Sequence, residues 1–219
     1  MKKISSFLKT PEGKFVGVVA LVIAILFGYY FYAGHDENVA TGTVELTQTD
    51  HVRGAKEGKV TLVEFGDFQC PACASYESIV RQLQADNKDV LTFSFRHFPL
   101  MQMHPNALIA SKAAEAAALQ GKFWEMHDIL YDKQSEWSSA PQALELFKIY
   151  ANTLDLNVAK FAKDIESKEI ESKILAELRE GTQLGVRGTP TFFVNGKKIE
   201  NPGNLAAFDK IIKEAAQGK

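Results

Sequence analysis

The stretch VTLVEFGDFQCPACASYE, residues 60–77, decides how this 219-residue chain folds. Residues 60–65 are apolar on both faces apart from Thr61 and Glu64, the pattern of a central strand covered on both sides. From Gln69 to Asp86 the pattern is helical. Pro71 sits in the first turn, where a missing N–H costs no hydrogen bond, and Ile79, Val80 and Leu83 supply an apolar stripe. Cys70 and Cys73, the only cysteines in the chain, lie where strand gives way to helix. Residues three apart on a first helical turn share a face, which sets their Cα atoms about 5–6 Å apart, within disulfide range.

Working outward, Leu91, Phe93 and Phe95 alternate with Thr92, Ser94 and Arg96, which predicts a second strand of period two. Helical patterns follow from about 105 to 185: an Ala-rich run at 107–119, then stripes around Phe123–Tyr131, Leu144–Tyr150 and Phe161–Leu178. The charged residues of the last stripe, Lys163, Glu166, Lys168, Glu169, Glu171 and Lys173, read as a solvated face. Residues 191–194 read as a strand, Asn195-Gly196 as a type I′ hairpin turn and 197–200 as the partner strand. Asn204 is the expected cap of a last helix through about Ala216. The order is βαβ, a single helical insertion, then ββα, an α/β arrangement.

A hydrophobic content of 46% is enough for a core, and the net charge is −2. Residues 1–34 are +3, so the body is acidic, which argues against binding a nucleic-acid backbone. Residues 15–33 carry no charge. Their length suits a membrane-spanning helix, with lysines before it and Tyr29, Tyr30 and Tyr32 at its far end. The bulky Phe31 and Tyr32 speak against a cleaved signal, and the lack of a polar face speaks against a buried core helix. The expected organisation is a cytoplasmic N-terminus at 1–14, a transmembrane anchor at 15–33 and a tether with a candidate first strand (43–46) at 34–57. Two halves of one domain, 58–104 and 186–219, flank a helical insertion at 105–185. The positive N-terminus keeps the large domain outside the cytoplasm.

The cysteines carry the chemistry. Unpaired amides and the positive end of the helix dipole favour a Cys70 thiolate, which makes its disulfide more oxidising. Cys73, deeper in the helix, is the expected resolving thiol. A structural disulfide across so short a loop would restrict the unfolded chain little. A zinc site using both cysteines with His97 or His104 lacks a second paired cluster. His35, His51, His97, His104 and His127 show no metal-ligand spacing and read as surface or satisfied helical residues, so neither metal nor cofactor is expected. Glu64 interrupts the apolar strand six residues before Cys70. Burial would raise its pKa and suit it to exchange a proton with Cys73; the alternative is an acid exposed at a sheet edge. Asp67 reads as a loop residue supporting the turn. Met101 and Met103 would either line an adaptable apolar groove for unfolded chains or fill core space.

Three segments, VTLVEFGDFQCPACASYE (60–77), FRHFPL (95–100) and RGTPTFFVNG (187–196), together resemble the DsbA family of thiol–disulfide oxidoreductases. The resemblance spans roughly 43–217 and is nearest to the family's membrane-anchored, Bdb-type oxidases. It implies a thioredoxin fold with a helical insertion and a cis Pro190 packed beside Cys70 and Cys73. It also implies a Thr189 backbone that pairs with an extended substrate, a form of β-augmentation, and a buried acid at Glu64. Pro71 and Ala72 would support the active site. The best-known members carry histidine at the position of Ala72, so a weaker oxidant is implied. Thr189 before the proline also occurs in related isomerases, which leaves the direction of electron flow open. The expected function is therefore a single-pass, cell-membrane enzyme forming disulfides in reduced or unfolded exported proteins, reoxidised by a quinone-linked membrane partner. The alternatives are a reductase or isomerase on the same fold, or a non-catalytic export-side holdase.

Overall fold

Strand β2 (Val60–Gly66) is buried along its length except at Thr61, because it lies in the middle of a five-stranded sheet and both its faces are covered. The computed structural model describes residues 15, 19, 21–29 and 42–218. The other strands are β1 (His51–Gly54), β3 (Leu91–His97), β4 (Thr191–Val194) and β5 (Lys197–Lys198). They stand in the order β1-β3-β2-β4-β5, with β3 parallel to β2 and every other pairing antiparallel. Helix α1 (Pro71–Asp86) makes the crossover from β2 to β3. The insertion consists of α2 (Ala107–Ala118), α3 (Phe123–Asp132), α4 (Gln134–Trp137), α5 (Ala143–Thr153), α6 (Val158–Ile165) and α7 (Lys168–Gln183). Helix α8 (Leu205–Ala216) closes the chain, and the Asn204 side chain accepts from the Ala207 amide as its cap. The hairpin turn has positive φ at Asn195 and Gly196, as the type I′ geometry requires.

Helix α2 is the hub of the insertion. Ala107, Ala110, Ala113, Ala114, Ala116 and Ala117 are all fully buried, and such small side chains let α3, α5, α6 and α7 approach its backbone. Gly181 does the same for α7: a Cβ there would collide with the rings of Phe65 and Phe98. The larger apolar cluster joins one sheet face to α1, α8 and the insertion. A smaller one, Val44, Val63, Phe65, Phe98, Val186 and Phe193, fills the other face.

Four expectations are corrected. The first strand lies at His51–Gly54 rather than 43–46, where Val44 makes a backbone bond to Gly196 outside any strand. Its sequence gave no signal, since Val52 is exposed on an edge strand of four residues. The alternation in β3 does not separate core from solvent, because all seven residues are buried. The Thr92 hydroxyl donates to the Ala55 carbonyl, and Arg96 bonds Asp50, Glu180 and the Glu45 carbonyl. The polar face is thus covered by 45–58 and α7. Nor does Lys173 belong to a solvated face: with His51 and His97 it converges on Glu115 Oε1. These donors hold the Glu115 carboxyl far below its ordinary pKa against the opposing pull of burial. The strand expected at 197–200 is confined to Lys197–Lys198.

Residues 21–29 are helical, as are Phe15 and Val19, and belong to a separate unit, Met1–Val39. Residues 1–14, 16–18, 20 and 30–41, which carry the expected cytoplasmic end, parts of the anchor with Tyr30 and Tyr32, His35 and the start of the tether, lie outside the described residues. Among the described residues no helix is long and apolar enough to cross a membrane.

Candidate active site

The turn between β2 and α1 is built on Asp67. Its carbonyl accepts from the Cys70 amide (3.0 Å) and its carboxylate from the amides of Gln69 (2.8 Å) and Leu100 (2.9 Å). His104 Nδ1 lies 2.7 Å from the same carboxylate. Fully buried, Asp67 ties the turn to the segment after β3 and supports it as expected. Cys70 becomes the N-cap of α1 with extended backbone, and Pro71 opens the helix.

Both cysteines carry free thiols. Cys70 is 7% exposed and Cys73 1%. The Cys70 thiol donates to the Thr189 carbonyl at 3.4 Å. As an anion it is stabilised first by a hydrogen bond from the Cys73 thiol, then by the Thr189 hydroxyl and the amides of Cys73 and Ala72. Together these outweigh burial and push its pKa down to about 5. The Thr189 hydroxyl is buried and has no hydrogen-bond partner among the described residues. Ala72, whose side chain offers nothing to the sulfur, contributes through its backbone. Burial raises the Cys73 pKa well above its ordinary value, reinforced by its bond to Cys70 and the nearby Glu64 carboxyl.

Glu64 is buried in mid-strand, opposite Phe95 on β3 and Phe192 on β4, and not at a sheet edge. Burial, then the charges of Glu77 and Cys70, raises its pKa strongly. Oε2 of Glu64 has no hydrogen-bond partner among the described residues. The Thr189–Pro190 bond is cis, as the resemblance implied. Pro190 leads directly into β4, which is paired with β2, so the sheet brings the 189–190 loop to the Cys70 sulfur across 119 residues of sequence.

Several contributors were not legible in the sequence. Tyr131 on α3 is buried against Phe68, and its phenol pKa is raised well above the ordinary value, chiefly by burial and next by Cys73. Gln134 on α4 donates to the carbonyls of Phe68 (2.7 Å) and Cys70 (3.0 Å). Glu77 had a usable signal, since it stands four residues after Cys73 on the same helix face. Its carboxylate accepts from Arg81 at 2.6 Å.

Two histidines differ from expectation: His97 is buried on a strand, and His51, also on a strand, stacks on Phe123. His127 lies on helix α3 with its ring bonded to Asp128. His97 Nε2 lies 2.9 Å from the Glu115 carboxylate and His104 Nδ1 2.7 Å from that of Asp67. Among the described residues one group has metal-ligand proximity, Glu77, His127 and Asp128. Arg53 and Arg81 already neutralise its carboxylates. Met101 and Met103 are exposed and, with Pro99, Leu100 and Leu178, line a depression of about 260 Å³.

Two free thiols of opposite acidity on the first turn of the helix after the central strand, beside a cis-proline loop, put the molecule in the class of thioredoxin-fold proteins. The fold is shared with BdbD of Bacillus subtilis (TM-score 0.69, 22% identity, 81% of this chain and 98% of that one). It is shared too with a thioredoxin-like oxidoreductase of Silicibacter pomeroyi (TM-score 0.67, 24% identity, 78% and 94%). The chain belongs to the thioredoxin family, whose profile matches residues 46–214. Among curated proteins it is 42% identical over 166 residues to the Na(+)/H(+) antiporter NhaA 3 of Salinispora tropica, and 40% identical over 185 residues to NhaA 1 of Salinispora arenicola. These matches take in 76% and 82% of this chain but only 24% and 28% of the antiporters, so the chain spans about a quarter of their length.

Proposed function

We propose that the chain is an extracytoplasmic dithiol oxidase that forms disulfides in reduced or unfolded exported proteins. The observation that carries this reading is the contrast between the two thiols: Cys70 is pushed down to about 5 and Cys73 well up. A sulfur comfortable as an anion is a good leaving group, and it makes its disulfide the stronger oxidant. A substrate thiolate attacks Cys70 of the Cys70–Cys73 disulfide. The S–S bond breaks, Cys73 leaves with the electron pair and Glu64 supplies its proton. A second substrate thiolate then attacks the substrate sulfur of the mixed disulfide and Cys70 departs as thiolate. Two electrons have passed from substrate to enzyme. Where the substrate offers no second thiol, Cys73 returns its proton to Glu64 and closes back on Cys70. Thr189 and Pro190 hold the substrate as an added strand beside the sulfur, while Pro71 and Ala72 shape the turn.

The uncharged run at 15–33, with lysines before it, supports a single-pass anchor that keeps the domain on the outer face. It also holds the domain near a quinone-linked membrane oxidase for reoxidation. Ion antiport is not carried over from relatives that share only a quarter of their length.

The test is equilibration with glutathione buffers, together with turnover of a reduced, scrambled substrate. A potential above the extracytoplasmic poise and loss of turnover in Cys70→Ser support the oxidase. A potential well below that poise replaces it with the reductase or isomerase reading. Substrate binding and cellular effect unchanged in Cys70→Ser would leave only a holdase.

A further inference from the structure

The redox turn is gripped by a residue that belongs to the insertion rather than to the βαβ unit carrying the cysteines. Gln134 opens the short helix α4, and its side-chain amide donates to two carbonyls at once, Phe68 at 2.7 Å and Cys70 at 3.0 Å. Those carbonyls bracket the Gln69–Cys70 peptide, just before the helix. The grip is braced. The Gln69 side chain, between them, donates to the Ser138 carbonyl (2.7 Å) and accepts from the Asn106 amide (2.7 Å). The Asn106 side chain fastens the carbonyls of Trp137, Ser138 and Ala140. Trp137, fully buried, anchors α4 by donating to the Leu130 carbonyl at 2.8 Å.

We propose that Gln134 is a positioning residue of the redox centre: by tying the Phe68 and Cys70 carbonyls together it holds Cys70 extended at the helix N-terminus, with its sulfur over the amides of Ala72 and Cys73. This inference rests on the dithiol reading of Cys70 and Cys73. Two effects act in one direction. The pinch fixes the backbone that aims the sulfur, and the donating amide draws negative charge out of the two carbonyls beside a forming thiolate. A helix N-terminus stabilises an anion only over its first turn, so a small rotation about Cys70 loses much of the benefit. The insertion thereby sets the acidity of a sulfur it does not carry.

The variants are Gln134→Met, close in size but without a donor, and Gln134→Glu, equal in shape with a carboxylate facing the carbonyls. Ala113→Leu disturbs the α2 hub of the insertion without touching the Cys70 turn or its brace. The readouts are the Cys70 thiolate absorbance against pH and the equilibrium with glutathione, on the reduced full chain. Loss of one hydrogen bond's net contribution predicts a roughly fivefold lower thiolate-to-thiol ratio at fixed pH in Gln134→Met. The fall is larger in Gln134→Glu, and each variant's disulfide is less oxidising in proportion. Ala113→Leu lowers the unfolding midpoint and leaves the titration in place. Gln134 variants that fold and titrate like the wild type overturn the proposal, as does a fall in Ala113→Leu equal to that in Gln134→Met. If the wild-type Cys70 itself titrates at an ordinary thiol value, it is the dithiol oxidase reading that fails instead.

Discussion

Replacing Cys70 by alanine should change how the stability of the reduced protein depends on pH, and the size follows from the site. The folded-state pKa is about 5, against 9.0 for an unperturbed thiol. At pH 4 both folded and unfolded chains hold the Cys70 proton, and its ionisation contributes nothing. Between pH 5 and pH 9 the folded chain has released the proton while the unfolded chain has not. The wild type therefore gains stability as pH rises, and above pH 9 the contribution is complete. The limiting slope is about 1.4 kcal/mol per pH unit, so two units above the folded pKa the full effect at pH 7 would be about 2.7 kcal/mol. The Cys70 charge also raises the pKa of Glu64, a repulsion that the alanine relieves. This coupling reduces the gain, to about 1–2 kcal/mol at pH 7. Urea unfolding of wild type and Cys70→Ala, each kept reduced, would be compared at intervals from pH 4 to pH 8. The stability difference should be flat to pH 5 and then rise in favour of the wild type. A difference that stays flat to pH 8, or falls, would refute the claim that this fold stabilises the Cys70 thiolate.

Glu64 has the opposite sign: its folded pKa is raised, so wild-type stability falls as pH rises above about 4.5. Glu64→Gln should be the more stable protein at pH 7, by about 1–3 kcal/mol, in urea titrations, and should slow the Cys73 step in stopped-flow assays without altering Cys70 acidity much. Thr189→Val removes a hydroxyl that supports the thiolate, so alkylation of Cys70 by iodoacetamide at pH 6 should slow. Arg96→Met leaves the Asp50 carboxylate, 2.8 Å from Arg96 Nε, buried without its charge partner, and should cost about 3–5 kcal/mol in denaturant unfolding. Ala113→Leu overpacks the α2 hub and should cost about 1–3 kcal/mol by the same measurement, leaving the Cys70 titration unchanged.

The central strand, the helix carrying both cysteines, the hairpin at Asn195-Gly196 and the last helix with its Asn204 cap were all legible in the sequence. Each rests on interactions between residues close in the chain. Strand burial shows in an unbroken apolar run, a type I′ turn demands positive φ, and a helix N-terminus acts on the sulfur attached to it. The strand at His51–Gly54 was hidden because a short edge strand is specified by its partner β3 rather than by its own pattern. The full burial of β3 was hidden for a related reason, since Arg96 looks like a solvent residue until Asp50 and Glu180 are folded over it. Only the tertiary structure brought Thr189 to Cys70, set Tyr131 near Cys73 and laid the Gln134 amide on the redox turn. Those residues come from 119, 58 and 64 positions away. Their roles depend on which surfaces of sheet and insertion meet, and no local periodicity encodes that.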